Sequence, residues 1–275
     1  MQLSFHKSFW EAQCNNEQEL NTLVAKVKQE GYRGTELFLP FYPISSAATL
    51  KAHQEHDLAI ITGIGTDGET PEQHLASLER QVEQAMAFNP KFINCHTGRD
   101  IFSLDDNLKI FNRALELEQE HGINITHETH RFRPTFNTLT TEAILKALPQ
   151  LKLNLDISHW MVVHESDLSD QKARVDALLK SAFHIHARVG YEEGPQLTDP
   201  QDPCWQAHLE NHTRLWQTVV NNAHARGEKE LTITPEFGPF PYAHVKPNSE
   251  QTLTDIWQAN YFIKQHLEKS LQLPA

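Results

Sequence analysis

The 275-residue sequence contains no apolar run near the roughly 18 residues that span a bilayer. Residues 1–7 also lack the apolar stretch of a secretory signal. The chain has only three cysteines, Cys14, Cys95 and Cys204, and no two of them are spaced Cys-x-x-Cys. An odd number without that spacing favours free thiols in a reducing compartment. We therefore expect a soluble, cytoplasmic protein that does not act at a membrane.

An excess of positive charge is also missing, because 24 Lys and Arg residues stand against 36 Asp and Glu residues, a net charge of −12. A nucleic-acid surface needs Lys and Arg in excess on one face. We therefore expect no nucleic-acid partner. Hydrophobic residues make up 39% of the chain, which at this length is enough for a real core.

No Gly-rich loop follows the first apolar stretch, which argues against a doubly wound open sheet that binds phosphates. Instead, eight apolar segments alternate with about eight helical segments, and no linker divides the chain. This alternation predicts an α/β fold, a single (β/α)8 TIM barrel over residues 1–275. The predicted strands are residues 2–5, 34–39, 58–62, 91–95, 123–127, 151–155, 183–187 and 231–234.

Helix boundaries are also visible in the sequence. Thr70-Pro71-Glu72-Gln73 predicts a capping box with proline at the first helical position. Ser103 and Gly122 predict the start and the end of the next helix. The last helix is predicted to include Leu253 and the apolar residues that follow it.

Metal-ligand residue types stand at the ends of the last four predicted strands. The four residues are Glu128, Asp156, His186 and Glu236. In a parallel barrel all strands end at one mouth, so these side chains would converge. Three carboxylates would repel one another without a cation, and carboxylates with one imidazole suit a divalent ion. The sequence therefore predicts a binding site for one divalent metal ion.

The order Glu, Asp-x-x-His, His-x-His, Glu over strands five to eight resembles the xylose isomerase-like TIM-barrel superfamily of sugar isomerases and epimerases. The layout is most similar to ketose 3-epimerases and hydroxypyruvate isomerase-like proteins. The resemblance implies that Mn²⁺, Co²⁺, Mg²⁺ or Zn²⁺ binds to Glu128, Asp156, His186 and Glu236. It also implies that Glu128 and Glu236 are the paired acid and base and that His159 and Arg188 contact the substrate. The substrate would be a sugar or a sugar-like hydroxy-ketone. Family members are often dimers or tetramers, which leaves a homo-oligomer open.

Four further residues are candidates for substrate binding, each with a structural alternative. His96 and His6 follow strands four and one, where a histidine can instead form a structural hydrogen bond at the end of the strand. Glu36 lies within strand two and could form a hydrogen bond inside the barrel. Trp160 could form an apolar wall for a sugar ring or pack in the core.

Side chains near the proposed ligands extend this set. Strand alternation turns His127 away from Glu128 and places His184 on the same face as His186. His130, Arg131 and Arg133 lie in the loop after strand five, where they could bind a carboxylate or phosphate of the substrate.

Three other functions compete with the epimerase hypothesis. A metal-dependent lyase such as a dehydroshikimate dehydratase uses the same ligand set on this scaffold. An abasic-site endonuclease would need a histidine at the end of strand three, where the sequence is Ile-Thr-Gly-Ile-Gly, and an Asp-x-His after strand seven, where only Asp199 and Asp202 occur. A non-catalytic barrel would bind no ion.

Overall fold

The computed structural model describes residues 1–12 and 14–274. Within these residues, eight parallel strands form a closed barrel in chain order, with β8 paired to β1. The predicted (β/α)8 TIM barrel is therefore confirmed. The strands are β1 Gln2–Ser8, β2 Gly34–Phe38, β3 Ala59–Gly65, β4 Ile93–His96, β5 Ile125–Glu128, β6 Lys152–Leu155, β7 Ala182–Ala187 and β8 Glu230–Pro235.

Helices surround the barrel and cover the outer faces of its strands. They are α1 Glu17–Gln29, α2 Ser46–Glu55, α3 Pro71–Met86, α4 Leu104–His121, α5 Thr138–Ala147, α6 Ile157–His164, α7 Lys172–Leu178, α8 Gln206–Ala225 and α9 Ile256–Ser270. Across the described ranges 1–12 and 14–274, no helix has both the length and the apolar character required to cross a membrane. The three cysteines are free.

Strand β7 shows how the pleat separates the core from the site. His184 and His186 point into the barrel and contact Glu36 of β2. Ile185 belongs to the apolar cluster between strands and helices, together with Trp216 of α8. Successive strand residues face opposite sides, so one short strand supplies both packing and polar groups. The prediction that His184 shares the face of His186 is confirmed.

Helix termini follow the predicted chemistry. Thr70 and Gln73 form the reciprocal capping box at the start of α3. The Ser103 side chain accepts a hydrogen bond from Asp106 N at the start of α4. Gly122 ends α4 in the left-handed conformation, with φ of 64°, which glycine adopts without steric cost.

Several predicted element boundaries are wrong, and one helix was missed. Strand β1 continues to Ser8, so His6 lies inside the strand rather than after it. The polar residues His6 and Lys7 interrupt the apolar pattern and hid this continuation, although both are buried and Lys7 is paired with Glu11. Helix α6 was missed because it begins directly at the end of β6. Leu253 lies before α9 and is 52% exposed.

Gly34, the first residue of β2, is required by close strand packing. A Cβ at this position would lie 2.3 Å from Ala59 O and 2.6 Å from His6 Cδ2. We expect Gly34→Ala to lower the free energy of unfolding by about 1–3 kcal/mol, because both neighbours belong to fixed strands. Urea denaturation measures this. The control is Gly65→Ala, whose Cβ would meet no atom closer than 3.4 Å. Equal loss in both variants would contradict the packing argument.

Candidate active site

A cavity of about 330 Å³ opens at the carboxyl ends of the strands, where the loops after β7 and β8 are long. Its size suits a small molecule. Its polar residues come from most of the strands, and several aromatic side chains cover its rim. The lining residues are Ser8, Trp10, Glu36, Phe38, Phe41, Gly63, Asn94, His96, Glu128, His130, Arg133, His186, Arg188, Glu236 and Tyr242.

Glu128, His186 and Glu236 converge in this cavity. His186 Nδ1 lies 2.9 Å from Glu236 Oε2 and 3.3 Å from Glu128 Oε2. Burial alone would lower the pKa of His186, but the charges of Glu236, Glu36 and Glu128 raise it well above its usual value. In the protein alone a proton on His186 thus balances part of the negative charge. The structure brings together three of the four residues that the sequence predicts as metal ligands.

The Glu128 carboxylate is held by its neighbours on both sides. Its Oε2 accepts hydrogen bonds from Asn94 Nδ2 at 2.9 Å and from Asn154 Nδ2 at 3.3 Å. His96 Nε2 lies 2.8 Å from the same oxygen. Burial opposes ionisation, but His96 and His186 lower the pKa of Glu128 well below its usual value. Glu128 is therefore a fixed, charged group in the barrel mouth.

Asp156, the predicted fourth ligand, is engaged elsewhere. It caps α6 by accepting a hydrogen bond from Ser158 N at 3.1 Å, and it is paired with Arg188. Burial raises the pKa of Asp156 to about 6, although Arg188 opposes the rise. Among the residues that the structure describes, Asp156 belongs to no group of three converging metal-ligand atoms. The capping requirement of a helix that the sequence did not reveal explains this orientation.

The two residues expected to contact substrate lie together beside Asp156. Arg188 Nη2 is 2.9 Å from His159 Nε2. The Arg188 guanidinium lies 4.5 Å from the centre of the Tyr242 ring, and it lines the cavity. His159 is fully buried in the first turn of α6. Arg188 is thus the member of the pair that faces the cavity.

The remaining sequence candidates divide between cavity and core. His96 and Glu36 line the cavity. His6 is fully buried, with Nδ1 3.3 Å from Ser4 O. Trp160 is buried and donates to Thr135 O at 2.9 Å, so its ring packs in the core. His127 bonds with Thr97 Oγ1 at 2.7 Å, away from Glu128 as the alternation predicts.

Loop residues after β5 contribute as well. The His130 ring stacks on His96, with 4.7 Å between ring centres, and lies 4.0 Å from the His159 ring. Glu128, His130 and His159 form a second group of converging ligand atoms. Arg133 lines the cavity and donates to Thr66 O and Gly98 O at 3.0 and 2.9 Å. It therefore also connects the loops after β3 and β4.

Sequence reasoning missed the aromatic rim and the two amides that hold Glu128, Asn94 and Asn154. Trp10 and Tyr242 meet edge to face with ring centres 5.0 Å apart, and Phe41 is 80% exposed. Asn94 donates to both Glu36 and Glu128. Asn94 alternates with His96 along β4, a signal that could have identified it. No local pattern marks Trp10 or Tyr242, which meet from opposite ends of the chain.

Comparison with known protein families identifies the family of this chain. A profile of the family described as xylose isomerase-like TIM barrel matches residues 24–199. The chain belongs to this family. Comparison with curated proteins gives no significant match.

Solved structures of proteins with several activities share the fold. D-allulose 3-epimerase from Methylomonas sp., in complex with D-allulose, is 15% identical with a TM-score of 0.70, over 98% of this chain and 97% of that chain. A xylose isomerase-like TIM barrel protein from Mycobacterium smegmatis, in complex with magnesium, is 13% identical with a TM-score of 0.62, over 98% of each chain. The probable 3-DHS dehydratase from Bacillus anthracis is 16% identical with a TM-score of 0.57, over 96% of this chain and 99% of that chain. At these identities the likeness shows the fold alone.

The side chains of this xylose isomerase-like barrel fit a divalent ion. His186 Nδ1 is buried and has no hydrogen-bond partner of acceptable geometry in the described part of the chain. Two carboxylates nevertheless lie within 3.3 Å of it. A nitrogen and two carboxylate oxygens that converge within 4.8 Å are a donor set for Mn²⁺, Co²⁺, Zn²⁺ or Mg²⁺.

Proposed function

We propose that this protein is a divalent-metal-dependent isomerase or epimerase of a sugar or sugar-like hydroxy-ketone, in which two glutamates transfer the proton. The observation that carries the proposal is the convergence of Glu128 and Glu236 on His186 Nδ1 inside a cavity of small-molecule size. A divalent ion bound there would polarise the substrate carbonyl and stabilise the charge of an enediolate.

The protein's own groups supply the remaining chemistry. One glutamate takes the proton from the carbon beside the carbonyl, and the other returns a proton to the opposite face. Asn94, Asn154 and His96 fix the Glu128 carboxylate, which limits its rotation during the transfer. Arg188 lines the cavity and can donate to a substrate hydroxyl, because its Nη1 has no hydrogen-bond partner among the described residues. The Trp10 and Tyr242 rings cover the cavity and exclude water from the reacting carbon.

Deuterium incorporation tests this proposal. Purified protein with Mn²⁺ or Co²⁺ is incubated with ketohexoses in D₂O and followed by NMR. We expect the epimeric ketose to carry deuterium on the carbon that changes configuration, and EDTA-treated protein to give no exchange. A conjugated product that absorbs ultraviolet light would instead establish a dehydratase. The absence of exchange for ketoses, their acids and their phosphates would overturn the proposal.

A further inference from the structure

Glu36, in β2, contacts both histidines of β7 with its two carboxylate oxygens. Oε1 lies 2.9 Å from His186 Nε2, and Oε2 lies 3.2 Å from His184 Nε2. Glu36 is only 6% exposed and both histidines are buried. The Glu36 carboxylate therefore crosses the barrel interior to a strand far from β2 in the sheet order.

The bonding pattern fixes which nitrogen of His186 carries a hydrogen. An ionised carboxylate only accepts hydrogen bonds, so a nitrogen bonded to Glu36 must donate. His186 Nε2 therefore carries the hydrogen, and neutral His186 has its lone pair on Nδ1. His184 Nε2 likewise donates to Glu36, while its Nδ1 lies 2.7 Å from Thr232 Oγ1 and 3.0 Å from Thr232 O.

We infer that Glu36 is a positioning residue that orients His186 so that Nδ1, not Nε2, binds the divalent ion. This inference rests on the ion of the proposed function. His186 Nδ1 faces Glu236 and Glu128 at 2.9 and 3.3 Å and has no hydrogen-bond partner in the described residues. A carboxylate behind a metal-binding histidine fixes its ring and tautomer and makes it a better ligand.

Glu36, His184 and His186 also converge closely enough to hold an ion themselves. This alternative is disfavoured because their facing atoms are already bonded to one another. Asn94 Nδ2 also donates to Glu36 Oε1 at 3.3 Å. An ion on that side would break these bonds, whereas an ion at Nδ1 breaks none of them.

Metal titration by calorimetry tests the inference without any assay of activity. We expect Glu36→Gln, which keeps the shape of the side chain, to weaken Mn²⁺ or Zn²⁺ binding by about 10–100-fold. Thr232→Val removes the hydroxyl from His184 and should weaken binding less. The control is Glu230→Gln, at the other end of the barrel, where Glu230 pairs with Lys91 at 2.6 Å. Glu230→Gln should bind the ion as the wild type does.

A second measurement uses the unaltered protein, so it tests which nitrogen of His186 binds the ion even if Glu36→Gln does not fold. NMR of ¹⁵N-histidine-labelled protein with Zn²⁺ should show His186 bound through Nδ1, with hydrogen on Nε2. Binding through Nε2, or wild-type affinity in folded Glu36→Gln, would overturn the role of Glu36 and leave the proposed function standing. A protein that binds no divalent ion would overturn both.

Discussion

Glu236→Gln is expected to lower kcat/KM for epimerisation by about 10²–10⁴-fold, the usual contribution of a general acid or base. The substitution keeps the size of the side chain but removes the group that exchanges the proton. Glu128→Gln should have a similar effect. The fold should survive Glu236→Gln, because Glu236 is a partly exposed residue beyond the end of β8. Steady-state kinetics with both epimers measures the loss.

Deuterium exchange distinguishes a two-glutamate mechanism from a mechanism with one base. If each glutamate serves one face, each variant still exchanges the proton of one epimer with solvent but cannot invert the carbon. The epimer that exchanges should differ between Glu128→Gln and Glu236→Gln. Exposed Glu250, in the same loop as Glu236, offers a control, and Glu250→Gln should retain wild-type rates. Inversion at full rate in either site variant would refute the assignment.

Acid should destabilise this protein, and three buried histidines together with Asp156 should account for about 5 kcal/mol of the loss between pH 8 and pH 5. Burial lowers the pKa of His6 and His212 to about 4 and that of His127 to about 3. Below about pH 6.5 these histidines bind protons in the unfolded chain but stay neutral in the folded protein. The free energy of unfolding is therefore highest above about pH 6.5 and falls as the pH is lowered further. Each histidine contributes about 2 kcal/mol at pH 5. Asp156, whose pKa burial raises to about 6, takes up a proton in the folded state and offsets about 1 kcal/mol.

Urea denaturation at the two pH values measures this dependence, and a pair of variants isolates one histidine. His127→Gln keeps a polar group near Thr97 but cannot take up the proton on unfolding. We expect it to reduce the loss of stability by about 2 kcal/mol. His121→Gln, at the exposed end of α4, should leave the pH dependence unchanged. If the free energy of unfolding changed equally with pH in both variants, burial of His127 would not govern the loss of stability in acid.

Local patterns were enough to predict the fold class and part of the site. Apolar segments that alternate with capped helices already specify a parallel barrel. Because the strands of such a barrel end at one mouth, the positions of Glu128, His186 and Glu236 in the sequence predicted that they would meet. The contacts of the Asp156 side chain could not be predicted in this way. It depends on α6, a helix whose start directly after β6 leaves no loop residues to mark it.

The tertiary structure alone decided which residues face one another across the barrel. Glu36 contacts His186 although 150 positions separate them, and Trp10 meets Tyr242 at the rim. Sequence periodicity reports only the neighbours within an element, whereas these contacts depend on closure of the sheet and on the paths of the loops. The sequence by itself therefore determined the barrel and the residue types at its mouth. Closure of the barrel determined that Glu36 lies behind His186.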